Sequence, residues 1–176
     1  MNNNYNYFSL FSLPVSYEVN EKQLKHSFRT LQKTMHPDNF ASKSGMEKVQ
    51  SMQHAAEIND AFKTLSDPYL RGRYLLELMN FQFKENDTIS DSGFLMEQME
   101  LRENLEAAKN SDDPLLGIEE LLDVISDLRL KLIEHLSELF SSDLVAMDVI
   151  NQELMKLQFY NKLQEEVGVN IDELDS

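Results

Sequence analysis

No cysteine occurs in the chain, which excludes disulfides, thiolate metal sites, a cysteine nucleophile and iron–sulfur ligation through sulfur. The compartment carries no redox signature, and cytosol is the default reading. Glycine and proline are scarce, at 5 and 4 of 176 residues. With 41% apolar residues, that scarcity favours a helical chain with a packed core, in one large or two small domains. No apolar run approaches the length of a membrane span. The first seven residues hold no Lys or Arg, and the apolar piece Phe8 to Val15 is too short for a signal-peptide core. The expectation is a soluble, unprocessed, cytoplasmic protein with no membrane partner.

Catalytic constellations are missing too. No Gly-rich loop cradles phosphate, no serine sits in a nucleophile elbow, and no carboxylate pair has a neighbour that would split its two pKa values. His36 with Asp38, or His54 with Glu57, lacks the further ligands a metal needs. No metal, no cofactor and no enzymatic activity are expected. The competing enzyme reading would use His36 and Asp38 as acid and base, but an exposed two-residue turn offers no pocket to exclude water.

Positive charge is scarce in the second half. The net charge is −15. Residues 1–79 carry nine Lys/Arg against eight Asp/Glu, net +1, whereas residues 80–176 carry seven against twenty-three, net −16. Such asymmetry points to two modules with different tasks and excludes nucleic acid as a partner of the second.

What is present is helical pattern. Tyr7 to Leu13 is a short apolar turn of helix closed by Pro14. Asn20 caps the next helix, with Gln23 placed to reach back to it. Along that helix Leu24, Phe28, Leu31 and Met35 share one face, and Lys22, Lys25, Arg29 and Lys33 share another, roughly 135° away. The basic stripe reads either as a solvated face or as a docking face for an acidic partner. His36-Pro37-Asp38 follows directly. Pro37 fixes its own φ near −65° and drives His36 out of the α region, so the helix stops at about Met35. Ser44 to Glu47 has capping-box spacing and opens a second long helix, with Val49, Met52, Ala55, Ile58, Phe62 and Leu65 inward. Asp67 and Pro68 cap a short helix through Met79. A polar connector follows, anchored by Phe81, Phe83 and Ile89. Three further helices are predicted: Ser92 to Lys109, Leu115 to about Phe140, and about Leu144 to Val167, with a frayed acidic tail from Asn170. Leu121, Leu122, Ile125, Leu128, Leu132, Leu136 and Leu139 point inward from the second of these, and Met147, Ile150, Leu154 and Leu157 from the third. A helix–turn–helix reading of residues 20–65 fails, because about eight residues separate the helices where that motif has three or four.

The first of these three helices carries two apolar faces. Phe94, Leu101, Leu105 and Ala108 form one, assigned to the core. Leu95, Met96 and Met99 lie about 150° away, ringed by Glu100, Glu103 and Glu106. The second face either packs on a neighbouring helix or module, or stands open as an adaptable protein-binding patch. Phe159 likewise lies off the main stripe of its helix.

The ordered set Tyr7-Phe8-x-Leu10-Phe11-x-Leu13-Pro14, Phe28-Arg29-x-Leu31, His36-Pro37-Asp38, Ile58-Asn59-x-Ala61-Phe62-x-Thr64-Leu65-x-Asp67-Pro68 and Arg71-x-x-Tyr74-Leu75-Leu76 resembles a J-domain, over residues 5–79. The continuation Tyr74-Leu75-Leu76 and the segment Phe94 to Glu103 resemble the HscB family of iron–sulfur cluster co-chaperones. The resemblance implies an all-α protein: a J-domain at 1–79, a connector at 80–90, and a three-helix client-binding bundle at 91–176. It implies that Lys22, Lys25, Arg29, Lys33, His36, Pro37 and Asp38 dock on a DnaK/HscA-type chaperone and stimulate its ATPase. It also implies that Leu95, Met96, Met99, Glu100, Glu103 and Phe159 bind an IscU-type iron–sulfur scaffold protein. A J-protein delivering another client is the alternative. Asn39 stands where J-domains usually carry a basic residue, and Ala107 stands where another acid is expected.

Overall fold

The structure is a computed structural model that describes residues 5–34, 45–84, 87–142 and 144–174, the side chains of Lys48 and of residues 172–174 excepted. The chain divides into two compact units, Met1–Asn80 and Phe81–Ser176. The described residues form helices and connecting segments, with no strand among them.

In the first unit α1 spans Tyr7–Leu10. Asn6 Oδ1 accepts from Ser9 N at 2.9 Å, and Asn6 N donates to Ser9 Oγ at 3.0 Å, closing a reciprocal cap. Ser12 then turns through a left-handed φ of 55°, a conformation that costs a non-glycine residue energy. This turn sends Phe8, Phe11 and Leu13 into the core. Helix α2 spans Glu21–Thr34, and Asn20 Oδ1 accepts from Gln23 N at 3.1 Å. The Gln23 side chain does not complete a box with Asn20. It donates instead to the Ser12 carbonyl at 3.0 Å, because the α1 turn brings that acceptor within reach.

Helix α3 spans Gly45–Ser66. Phe28 stacks on Phe62 with centroids 3.9 Å apart, and Gln32 bonds Asn59, so α3 runs antiparallel to α2. Ile58, Ala61 and Leu65 are buried, but Val49 and Met52 are not: they are 55% and 65% exposed. The expectation failed on helical arithmetic. Steps of three residues fall about 60° short of a full turn each, so Val49 ends up on the far side from Ile58. Steps of seven return nearly to the same face, and the buried residue above Ile58 is Ser51.

Helix α4 spans Pro68–Leu78, capped by Asp67 Oδ1 on Leu70 N at 2.8 Å. Arg71 is buried, donates from Nη1 to the Leu65 carbonyl at 2.6 Å, and lies over the Tyr17 ring at 5.0 Å. Burial lowers its pKa, against the smaller raising effects of Tyr17, Asp67 and Glu21. Just past the helix, Asn80 has a φ of 61°, tolerated by asparagine better than by most side chains.

In the second unit α5 spans Ser92–Lys109, α6 spans Pro114–Ser141 and α7 spans Met147–Leu174. Asp91 Oδ1 caps α5 through Gly93 N and Phe94 N, and Asp113 Oδ1 caps α6 through Leu116 N. Helix α6 packs on both α5 and α7. The core joins Phe94, Leu101 and Leu105 of α5 to Ile118, Ile125 and Leu136 of α6 and to Ile150, Leu154, Leu157 and Leu163 of α7. Leu122, Leu128 and Leu139 sit at the edge of this stripe, half-buried. Helix α7 begins at Met147, three residues later than expected, with Leu144 left 87% exposed. It also continues past Val167 to Leu174, where a frayed tail was expected. No proline interrupts that stretch, and Asn170 Nδ2 donates to the Glu166 carbonyl at 2.6 Å. Gly117 lets α6 pass close to the end of α5: a Cβ there would meet the Ala108 Cβ at 3.3 Å, so Ala108 would have to give by a few tenths of an ångström.

The end of the connector belongs to this unit. Asn151 Nδ2 donates to Asp87, Gln152 Nε2 donates to the Thr88 carbonyl, and Gln152 Oε1 accepts from Ser90 N. Among the described residues no helix is long and apolar enough to cross a membrane.

Candidate functional site: a basic helix face and an exposed Leu/Met face

On α2 the residues Lys22, Lys25, Arg29 and Lys33 are all exposed on one side, opposite buried Leu24 and half-buried Phe28 and Leu31. Lys25 Nζ pairs with Glu21 at 2.8 Å, one turn back, which holds one cation of the stripe along the helix. That neighbour, first through its hydrogen bond and then through its charge, lowers the Glu21 pKa. The Lys22 and Arg29 faces point at solvent, so the stripe can meet an acidic surface without first unpacking. His36, Pro37 and Asp38, expected to complete this face, lie outside the described residues.

On α5 the core stripe and the second apolar face separate as the sequence spacing predicts. Phe94, Leu101 and Leu105 are buried, while Leu95, Met96 and Met99 are 45%, 72% and 64% exposed. Glu100 and Glu103 are exposed beside them. Within this unit Met96 and Met99 are therefore not packed on a neighbouring helix. Phe159 comes from α7 and sits half-buried. Its ring meets Phe94 edge-on at 5.6 Å and Tyr160 at 5.8 Å. The structure thus brings a residue of α7 against Phe94 of the buried α5 stripe, 65 positions away in sequence.

Three residues that the sequence pattern did not single out hold this arrangement. Arg102 places its guanidinium over Phe159 at 5.9 Å and pairs with Glu166 of α7 at 3.7 Å. A cation three residues after Met99 and seven after Leu95 was the available signal. Tyr160 is buried and donates its hydroxyl to Glu97 Oε1. Burial first, and the Glu97 bond second, raise the Tyr160 pKa, so it remains a neutral donor at physiological pH. Lys156 bridges Asp91 at 2.8 Å and Glu153 at 2.9 Å, and its ammonium lies 5.5 Å from the Phe94 centroid. No local periodicity reports either contact. Together they fix α5 about its own axis, which sets where Leu95, Met96 and Met99 point.

A cleft of about 440 Å³ beside these residues is lined by Asp91, Glu97, Lys131, His135, Lys156 and Tyr160. Lys156 is already committed to two carboxylates there. Among the described residues no three His, Asp or Glu side chains converge as metal ligands would.

The Asp91–Lys156 pair has a defined pH window. The Lys156 hydrogen bond, then the Phe94 N–H, lowers the Asp91 pKa. A lowered carboxyl contributes stability that is present above its unfolded value of about 3.9 and lost as pH falls through the folded one. For Lys156, burial acts downward, but the hydrogen bonds to Asp91 and Glu153 outweigh it and leave the pKa raised. A raised ammonium contributes stability that is present below about 10.4 and lost as pH rises through the folded value. The melting-temperature gap between wild type and Lys156→Met is therefore expected to be widest between about pH 5 and 9 and to shrink at both extremes. Thermal melts across pH check this, and a gap independent of pH would reduce Lys156 to packing alone.

The chain matches the family model described as the DnaJ domain over residues 6–74, and the one described as the HSCB C-terminal oligomerisation domain over residues 90–168. A co-chaperone protein HscB homolog of Shewanella halifaxensis is 43% identical over 164 residues, covering 92% of this chain and 94% of the relative. The homolog of Shewanella pealeana is 43% identical over 171 residues with the same coverage. Among solved structures, the chaperone HscB from Vibrio cholerae superposes with a TM-score of 0.87 at 36% identity, covering 97% of this chain and 99% of its own. The human co-chaperone protein HscB superposes with a TM-score of 0.85 at 29% identity, covering 97% and 84%.

Proposed function

The chain belongs to the HscB family of J-domain co-chaperones, and from that premise we propose a docking protein with two working faces. Residues 1–79 act as the J-domain, 80–90 as the connector and 91–176 as the client-binding unit. Lys22, Lys25, Arg29 and Lys33, with His36, Pro37 and Asp38, dock on the nucleotide-binding domain of a DnaK/HscA-type chaperone in the cytoplasm and accelerate its ATP hydrolysis. Proline at position 37 pre-sets the backbone there, so less ordering entropy is lost on docking. Asp38 offers a carboxylate to an arginine of the partner, a charge-assisted bond. Leu95, Met96, Met99 and Phe159 hold an IscU-type scaffold protein, and Glu100 and Glu103 give orientation and on-rate.

The observation that carries the second face is the exposure of Leu95, Met96 and Met99 on the side of α5 turned away from its buried stripe. Three large apolar side chains grouped at i, i+1 and i+4 within a carboxylate rim are expensive to leave in water and suit a protein partner. The chain contributes binding surfaces and no catalytic group of its own.

The test is the ATPase rate of a purified HscA-type chaperone, with and without this protein, with and without an IscU-type scaffold, repeated with His36→Gln. Stimulation that rises further with scaffold and disappears in the variant is expected. Stimulation without a scaffold effect would move the client to another protein. No stimulation by a folded chain would overturn the docking reading for this chaperone.

A further inference from the structure

We propose that Met96 and Met99 are a reversible oxidation site, and that their conversion to methionine sulfoxide releases the client from the α5 face. The proposal rests on the reading of that face as the scaffold-binding surface.

The chain has no cysteine, so methionine is its only sulfur-bearing side chain. Methionines oxidise according to how well an oxidant reaches the thioether. Among the described methionines Met46, Met52, Met96 and Met99 are exposed by 64% or more, Met79 by 38%, while Met147 and Met155 are mostly covered. Two of the four most exposed described methionines therefore lie three residues apart on the outer face of α5.

The position makes the chemistry selective in effect. The core contacts of α5 are made by Phe94, Leu101, Leu105 and Ala108, and Met96 and Met99 take no part in them. A sulfoxide on the outer face keeps its oxygen in water, and the fold is left almost unchanged. Buried under a docked partner, the same oxygen must find a donor or lose its hydration, and a dry Leu/Met contact supplies none. One modification is thus nearly silent in the free protein and costly in the complex.

The step balances with a peroxide as oxidant. The sulfur lone pair attacks one peroxide oxygen, the S–O bond forms as the O–O bond breaks, and the second oxygen leaves as water after taking up a proton. Methionine loses two electrons and the peroxide gains them. A thiol-dependent sulfoxide reductase returns the two electrons and releases the oxygen as water.

The experiment uses the full chain and hydrogen peroxide. Peptide mapping by mass spectrometry follows each sulfoxide, circular dichroism follows the helix content, and calorimetry with an IscU-type scaffold follows binding. Sulfoxide at Met96 and Met99 is expected to form several-fold faster than at Met147 and Met155, with unchanged helix content and at least a tenfold loss of scaffold affinity. Methionine sulfoxide reductases should restore the affinity. In Met96→Leu/Met99→Leu, the ratio of affinities before and after peroxide should fall to near one, whatever the starting affinity. In Met46→Leu/Met52→Leu it should stay as in wild type. Equal oxidation rates at all methionines, an oxidised chain that binds as before, or loss that persists in Met96→Leu/Met99→Leu would each overturn the proposal. A chain that fails to bind scaffold before any oxidant is added would instead overturn the functional reading, and the two failures are read in separate titrations.

Discussion

Leu95→Ala, Met96→Ala and Met99→Ala combined in one chain are expected to weaken binding of an IscU-type scaffold about a hundredfold or more while leaving stimulation of the chaperone ATPase intact. The magnitude follows from area. Fully burying a Leu or Met side chain is worth about 1.5–3 kcal/mol, and a factor of ten in affinity is about 1.4 kcal/mol. Scaled by the 45%, 72% and 64% of each that is left to bury, three such side chains at the lower bound reach about two decades, even though hot-spot contributions are not additive. The fold should not notice. The three residues are 45%, 72% and 64% exposed, and surface substitutions of this kind usually change stability by less than about 0.5 kcal/mol. Calorimetry measures the affinity and a thermal melt measures the fold. Unchanged binding would remove these residues from the interface, and a collapsed melt would mean that they support the core.

Phe94→Ala is expected to do the reverse, unfolding the second unit. Phe94 is 5% exposed, meets the rings of Phe159 and Tyr160 edge-on at 5.6 Å each, and carries the Lys156 ammonium at 5.5 Å. A buried Phe→Ala change costs about 3–5 kcal/mol, and each lost aromatic pair adds about 0.5–1.5. A whole domain is stable by only about 5–15 kcal/mol. Urea unfolding followed by circular dichroism should show a large part of the helical signal lost at low denaturant. A midpoint near that of wild type would mean that α7 closes over the space. Leu95 and Phe94 are neighbours in sequence, so the contrast between the two substitutions tests the assignment of the two faces directly.

That contrast was legible in the chain because α5 obeys a single helical period over its whole length. Its bounds, Ser92 and Lys109, were legible as well, and Asp67-Pro68 marked the start of α4. In α3 the reading failed at Val49 and Met52, where apolar residues three apart drift around the helix and the first turns could not be phased from spacing alone. In α7 the acidic composition after Val167 suggested fraying, but composition does not break a helix that lacks proline. What no local pattern could give is the cross-helix wiring. Tyr160 with Glu97, Lys156 with Asp91, and Arg102 with Phe159 and Glu166 join positions 57 to 65 residues apart, and only the folded unit puts them together. The basic stripe of α2 was legible through its spacing. The tripeptide after it is known from its residues and stays outside what the structure describes.

The division of the core among the helices of the second unit gives α5 a further property. Helix α5 is ten residues shorter than α6 and α7 and contributes fewer buried residues than either. The helix with the smallest share of the core is therefore the one that detaches at the lowest cost in local opening. A partner seated on the outer face of α5 has no surface to grip once that helix has come away, so its binding energy is added to the closing free energy, by RT ln(1 + [L]/Kd). Amide hydrogens of α5 are thus expected to exchange fastest in the free chain and to slow in proportion to any partner seated on that face.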